Sequence, residues 1–365
     1  MSELTLNYTG IGSLPFKGEN APKQALDYIF KEFKSIPFWP QLPHFAREED
    51  MVFQYTQNLA GLSFDGDKYF LNPESEEFFI ALEDLFFDYE SVISADDLIQ
   101  CEQTLDKYAI LPPNSNSLAP FLNELKNYNP DFVKGSITGP FTFSTSITDN
   151  EGKCAYYNDV LKDVCIKTLS LKALWQVKEF KKAAPSAKSI IFMDEPSISQ
   201  VGSCAFLSVE SSDVVEMLKI IADDLKKFGA ICGVHCCGKT DWEIALLCGV
   251  DIVNFDAYSY SQSVANYAQS AKTFLEKGGI FAFGIVPTLD KDELKNLELN
   301  TLEQKFDDSI KCFTSKGIDK NLLLKQSFIT PSCGCGSLDD EGALKALRLT
   351  RELSQRLKER CGALL

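Results

Sequence analysis

Eight short apolar runs, separated by longer stretches with helical patterning, confine this 365-residue chain to a parallel α/β architecture. They are Tyr8 to Leu14, Gly61 to Phe64, Phe132 to Thr138, Ser189 to Met193, Ala230 to Val234, Asp251 to Phe255, Gly279 to Ile285 and Leu322 to Ile329, each followed by polar or Gly/Pro punctuation. Eight parallel strands alternating with helices predict a (β/α)8 TIM barrel. Between the runs lie amphipathic segments such as 211–228, where Val214, Val215, Leu218, Ile221 and Leu225 share one helical face suited to packing on a sheet. The stretch at about 65–130 is acidic and aromatic with helical character. It is expected as an insertion that elaborates the N-terminal third and caps the barrel mouth. No repeat or compositional break marks a linker, so residues 1–365 read as one domain. With 45% hydrophobic content, that domain can bury a large core.

Functional groups of a barrel lie where strands end and loops begin. Those positions hold Ser13, Thr138, Asp194, Glu195, His235, Cys237, Asp256 and Cys333. Side chains alternate faces along a strand, so His235 and Cys237 share a face and Cys236 points away. With Cys333 they make a tripod of one imidazole and two thiolates. Such ligands favour zinc over harder cations and leave the fourth tetrahedral position for an exchangeable group. Asp256 and Cys335 are both candidates for that fourth position. Twelve cysteines are scattered along the chain, so one cysteine alone says little; His235 is one of only two histidines and closes an apolar run.

A formal charge of −16 argues against a nucleic-acid backbone as partner. The cysteines lack the framework of a small secreted scaffold, which points to a reducing compartment and free thiols. The start, Met-Ser-Glu-Leu-Thr-Leu-Asn, has no basic region before an apolar stretch, and no run of about 18 apolar residues occurs. A soluble cytoplasmic protein acting on small molecules, without a membrane partner, is expected.

Six segments in chain order carry a family resemblance: Ile11-Gly-Ser-Leu-Pro15, Glu49-Asp-Met-Val52, Lys134-Gly-Ser-Ile-Thr-Gly-Pro140, Met193-Asp-Glu-Pro196, His235-Cys-Cys-Gly238 and Pro331-Ser-Cys-Gly334. Together they resemble the catalytic half of cobalamin-independent methionine synthase and its relatives in the uroporphyrinogen decarboxylase superfamily, including zinc methyltransferases that use methyl-corrinoid proteins. The resemblance implies zinc on His235, Cys237 and Cys333, where it activates a small thiol such as homocysteine or coenzyme M. It implies that the Ile11, Gly12 and Ser13 turn holds a substrate carboxylate and that Asp194, beside Glu195, holds an amine. In methionine synthases a glutamate ligand stands at the position of Asp256, so Asp256 is either a shorter fourth ligand or a group that orients one.

Three departures shift the expected chemistry. A barrel-sized chain is expected to lack the folate-binding half. The seventh run ends Phe283-Gly-Ile-Val-Pro287, without the histidine associated with protonating a departing folate nitrogen; a departing cobalt(I) corrin needs no such acid. Phe45 stands where the family places a second carboxylate on the substrate amine. A methyl-corrinoid, carried by a corrinoid protein partner, is therefore the expected donor ahead of methyl-folate. A metal-free decarboxylase of the uroporphyrinogen type is the alternative, but Pro15-Phe-Lys-Gly-Glu-Asn offers one lysine where that family carries an arginine-rich loop. A non-catalytic corrinoid- or zinc-binding protein would have no use for Ser13 and Asp194.

Overall fold

A computed structural model describes residues 4–66, 68–204 and 206–361. Six strands, β3 (Phe132–Thr138), β4 (Lys188–Asp194), β5 (Ile231–Cys236), β6 (Ile252–Phe255), β7 (Ile280–Val286) and β8 (Ser327–Pro331), form one curled parallel sheet in sequential order. Helices fill every crossover between them. The chain is thus mixed α/β, with a separate antiparallel hairpin of β1 (Leu62–Asp65) and β2 (Lys68–Leu71).

The expected ring of eight regular strands is corrected to these six. Residues 8–14 make only single bridges, Tyr8 to Ile329 and Ser13 to Gln41, and the run at 61–64 belongs to the hairpin. The place beside β3 goes instead to the segment at 35–41, where Phe38 bridges Lys134. The main chain explains why neither segment becomes a ladder. Pro37, Pro40 and Pro43 have no N–H to give, and Leu6 has a positive φ of 52° that breaks an extended path. Scattered bonds still tie these segments to the sheet edges and to each other: Leu6 N donates to Ser327 O at 2.6 Å, Trp39 N to Lys134 O at 2.9 Å, and Leu14 N to Gln41 O at 2.9 Å. The last run is also shorter than expected, because Asp319 caps a helix at Lys320–Lys325 and β8 starts only at Ser327.

The stretch at 65–130 carries the helices Glu76–Ile93, Glu102–Asp106 and Leu118–Leu125, and none of its described residues lines the cavity described below. Its helix Glu76–Ile93 packs outside, against the long helix Asp159–Ala183, and Tyr89 of that helix donates to Asp224 at 2.8 Å. Among the described residues, the cavity wall at the mouth comes instead from 41–55.

Period-2 alternation divides the interior of the curled sheet into two levels. Near the strand starts, Phe132, Ile190, Phe192, Ile252, Ile280, Ala282 and Phe328 form a sealed apolar cluster. One or two pleats further along the same strands, the same face carries Lys134, Ser136, Asp194, His235, Asn254 and Thr330, all buried or nearly so. An apolar plug below and polar groups above fix the functional end as the one where the strands finish. Among the described residues no helix is long and apolar enough to cross a membrane.

Candidate metal centre

His235 projects inward from β5, with Asp194 of β4 and Asn254 of β6 as its register neighbours. A ring nitrogen of His235 and the sulfurs of Cys237 and Cys333 all lie within 4.8 Å of one another. Tetrahedral zinc with bonds of about 2.0–2.3 Å holds its ligand atoms roughly 3.5–3.8 Å apart. A contraction of at most about an ångström therefore closes this trio on an ion of that kind.

The ring itself supplies the test of fit. His235 Nδ1 lies 2.5 Å from Asn254 Oδ1, whereas Nε2 is buried with no hydrogen-bond partner in the described structure. Leaving a buried polar atom unpaired costs about 1–3 kcal/mol. A soft divalent ion between Nε2 and two sulfurs removes that cost, so the residues present fit a metal of the zinc type. Cys236 takes no part. It is 1% exposed in the core, its sulfur faces Gly238 O, and burial pushes its thiol up to about 12.

Contact with Cys333, then with the His235 ring, holds the Cys237 thiol well below the usual thiol range. The same contact pushes the Cys333 thiol up. For His235, burial favours the neutral ring, but the nearby Cys237 and Asp194 outweigh it and raise its pKa. Burial also raises Asp194, against the opposing pull of His235 and Lys134.

A cavity of about 470 Å³ opens over the cluster. Ile11, Ser13, Gln41, Met51, Tyr55 and Ser136 line it together with Asp194, His235, Cys237 and Cys333. Asp194 is partly buried, and one of its carboxylate oxygens is enclosed with no hydrogen-bond partner among the described residues. The buried Lys134 does not neutralise it by direct contact: its ammonium donates to Ile11 O and sits 4.5 Å from the Phe192 ring centre. Ser13 clamps the loop that carries Cys333, its Oγ accepting from Gly336 N at 3.3 Å. A Cβ on Gly334 would lie 2.1 Å from that oxygen, so this close approach requires glycine.

Several expected site residues are placed elsewhere. Glu195 points away from the cavity: its carboxylate accepts from Phe141 N (2.8 Å), Thr142 N (2.9 Å) and Thr142 Oγ1 (2.7 Å), capping the helix Pro140–Ser146. Gly139 makes room for it, because a Cβ there would sit 2.2 Å from the carboxylate. Asp256 stands outside the trio and caps the helix Ala257–Ala265 through Ser259 N at 3.0 Å. Cys335 is 2% exposed in the core, its N donating to Ser13 O at 2.9 Å, and burial raises its thiol to about 12. Gly12 lies against the Gln41 side chain rather than in the wall. Phe45 packs on the core. Glu49 borders the cavity, yet its carboxylate is spent on Leu42 N at 2.7 Å and Asn116 N at 2.7 Å.

Sequence patterning gave no individual role to Gln41, Tyr55, Ser136 or Asn254. Two of them carried a signal. Ser136 alternates with Lys134 and Thr138, and Asn254 is a polar residue inside the apolar run Ile-Val-Asn-Phe. Gln41 and Tyr55 sit in irregular segments with no period to read. His44, the second histidine, also borders the cavity, its Nε2 2.9 Å from Gly336 O. Compared with known proteins, the chain matches no family model and no curated sequence.

Proposed function

We propose that this chain is a zinc-dependent methyltransferase that moves a methyl group from a methyl-corrinoid to a small thiol. The observation that carries it is the His235, Cys237 and Cys333 trio in the wall of a cavity that Asp194, the register neighbour of His235, also lines with one carboxylate oxygen unpaired. When bound by these three residues, zinc would supply a Lewis acid that brings a thiol's pKa toward neutrality. The residues around it do the rest. Ser13 keeps the Cys333 loop in place, and Asp194 offers its free oxygen to a cationic group on the acceptor, favouring an amine-bearing thiol. Among the described residues no lysine or arginine lines the cavity, which is unfavourable both for a sulfonate such as that of coenzyme M and for the several carboxylates of a uroporphyrinogen-type substrate.

In the transfer the acceptor sulfur forms the new C–S bond as the C–Co bond breaks. The electron pair stays on cobalt, giving cobalt(I), and the thiol proton passes to solvent. A folate donor would need an acid for its leaving nitrogen. β7 supplies none, and the Nε2 of His44 is engaged with Gly336 O. The test is demethylation of methyl-cobalamin by zinc-loaded protein with homocysteine. Turnover with methyl-cobalamin and none with methyl-tetrahydrofolate supports the proposal; turnover with methyl-tetrahydrofolate alone at an equal rate refutes the donor assignment.

A further inference from the structure

We infer that Asn254 and Thr330 are positioning residues that fix which nitrogen of His235 is left free for the metal. This rests on the zinc reading of the site, but its evidence lies in the hydrogen bonds behind the ring. Asn254 is 0% exposed on β6, directly beside His235 in register. Its Nδ2 donates to Ala282 O at 2.8 Å and to Thr330 Oγ1 at 2.8 Å.

A main-chain carbonyl only accepts, so the side of the amide facing Ala282 must be the NH2 group. The other side, Oδ1, then faces His235 Nδ1 at 2.5 Å. An amide oxygen also only accepts, so the hydrogen between them belongs to Nδ1. A neutral imidazole carries one N–H, and Nε2 is therefore the nitrogen with the lone pair. It is the atom that has no hydrogen-bond partner in the described structure. Thr330 enters because it holds the second amide hydrogen: without it, one hydrogen of the NH2 group is unpaired in a fully buried place, and the amide loses part of what fixes its orientation. Three strands thus converge on one proton, β6 through Asn254, β7 through the Ala282 carbonyl and β8 through Thr330.

Partners behind ligating histidines change metal affinity by roughly 10- to 100-fold. Asn254→Leu removes the acceptor for Nδ1–H and should weaken zinc binding by about that factor, whereas Asn254→Asp keeps an acceptor at the same reach and should restore most of it. Thr330→Val should fall between wild type and Asn254→Leu.

The experiment uses full-length protein labelled with 15N-histidine. With only two histidines in the chain, the ring nitrogens of each can be assigned. Spectra of the metal-free protein, taken as the pH is raised until the ring is neutral, should show His235 as the Nδ1–H tautomer, and chelator competition should give the zinc affinities. An Nε2–H tautomer in the wild type overturns the inference. So does a folded Asn254→Leu protein that binds zinc like wild type. If Asn254→Leu does not fold, Thr330→Val decides in its place: wild-type tautomer and affinity there also overturn the inference, and a mixed tautomer with weaker zinc supports it. A wild type that shows the Nδ1–H tautomer but takes up no zinc upholds the hydrogen-bond relay and sinks the zinc reading instead.

Discussion

Replacing Lys172 with methionine should stabilise the protein, and by more at pH 7 than at pH 10. Lys172 lies on the helix Asp159–Ala183, fully buried, with no hydrogen-bond partner for its Nζ among the described residues. Burial alone lowers its pKa from 10.5 to about 7. In the unfolded chain the amine is protonated at pH 7, while in the fold it is about half protonated. Each unit of difference is worth about 1.4 kcal/mol, so holding the group in the fold at pH 7 costs about 4 kcal/mol. The sign follows from proton counts: between pH 7 and 10.5 the unfolded state binds more protons, so wild-type stability rises with pH across that window. Methionine of similar length removes the titration. Its advantage should shrink from about 4 kcal/mol at pH 7 to under about 1 kcal/mol near pH 10.5. Urea unfolding of both proteins at pH 7, 8.5 and 10 measures the difference directly. Parallel stability profiles would mean that the amine stays protonated in the fold, and the burial argument would fail.

Cys237→Ala and Cys333→Ala should each lose zinc, measured as metal content after dialysis, while Cys236→Ala retains it; the reverse pattern would contradict the strand alternation that places Cys236 in the core. Glu195→Gln should lower stability by about 2 kcal/mol in chemical denaturation, because an NH2 group then confronts donors at Phe141 N or Thr142 N; an unchanged midpoint would show that the cap is dispensable. Asp194→Asn should weaken an amine-bearing thiol roughly 10- to 100-fold and leave a thiol without an amine within about threefold, read as apparent affinities in the methyl-cobalamin assay. Equal losses for both acceptors would remove Asp194 from amine recognition.

What could be read in advance followed from which structures have a period. β3 spans Phe132–Thr138 as expected, since an apolar run bounded by Pro130 and Gly139-Pro140 has little freedom in its ends. The same alternation separated Cys236 from Cys237. Applied to Asp194 and Glu195 it also separates them: adjacent acids on one strand end face opposite ways, and only Asp194 borders the cavity. The two irregular segments at 4–14 and 35–44 were not legible as they stand, because their pairing depends on scattered single bonds around prolines rather than on a repeating pattern. Asn254 was passed over for a different reason. Its significance lies in being the register neighbour of His235, a relation across 19 residues that only the sheet reveals.

X-ray absorption at the zinc edge, before and after saturation with homocysteine, tests the central claim most directly. Zinc on His235, Cys237 and Cys333 should start with two protein sulfurs and one protein nitrogen and gain one sulfur when the thiol is added. An unchanged shell at saturating thiol would mean that the metal does not activate the acceptor, and the site would then be structural.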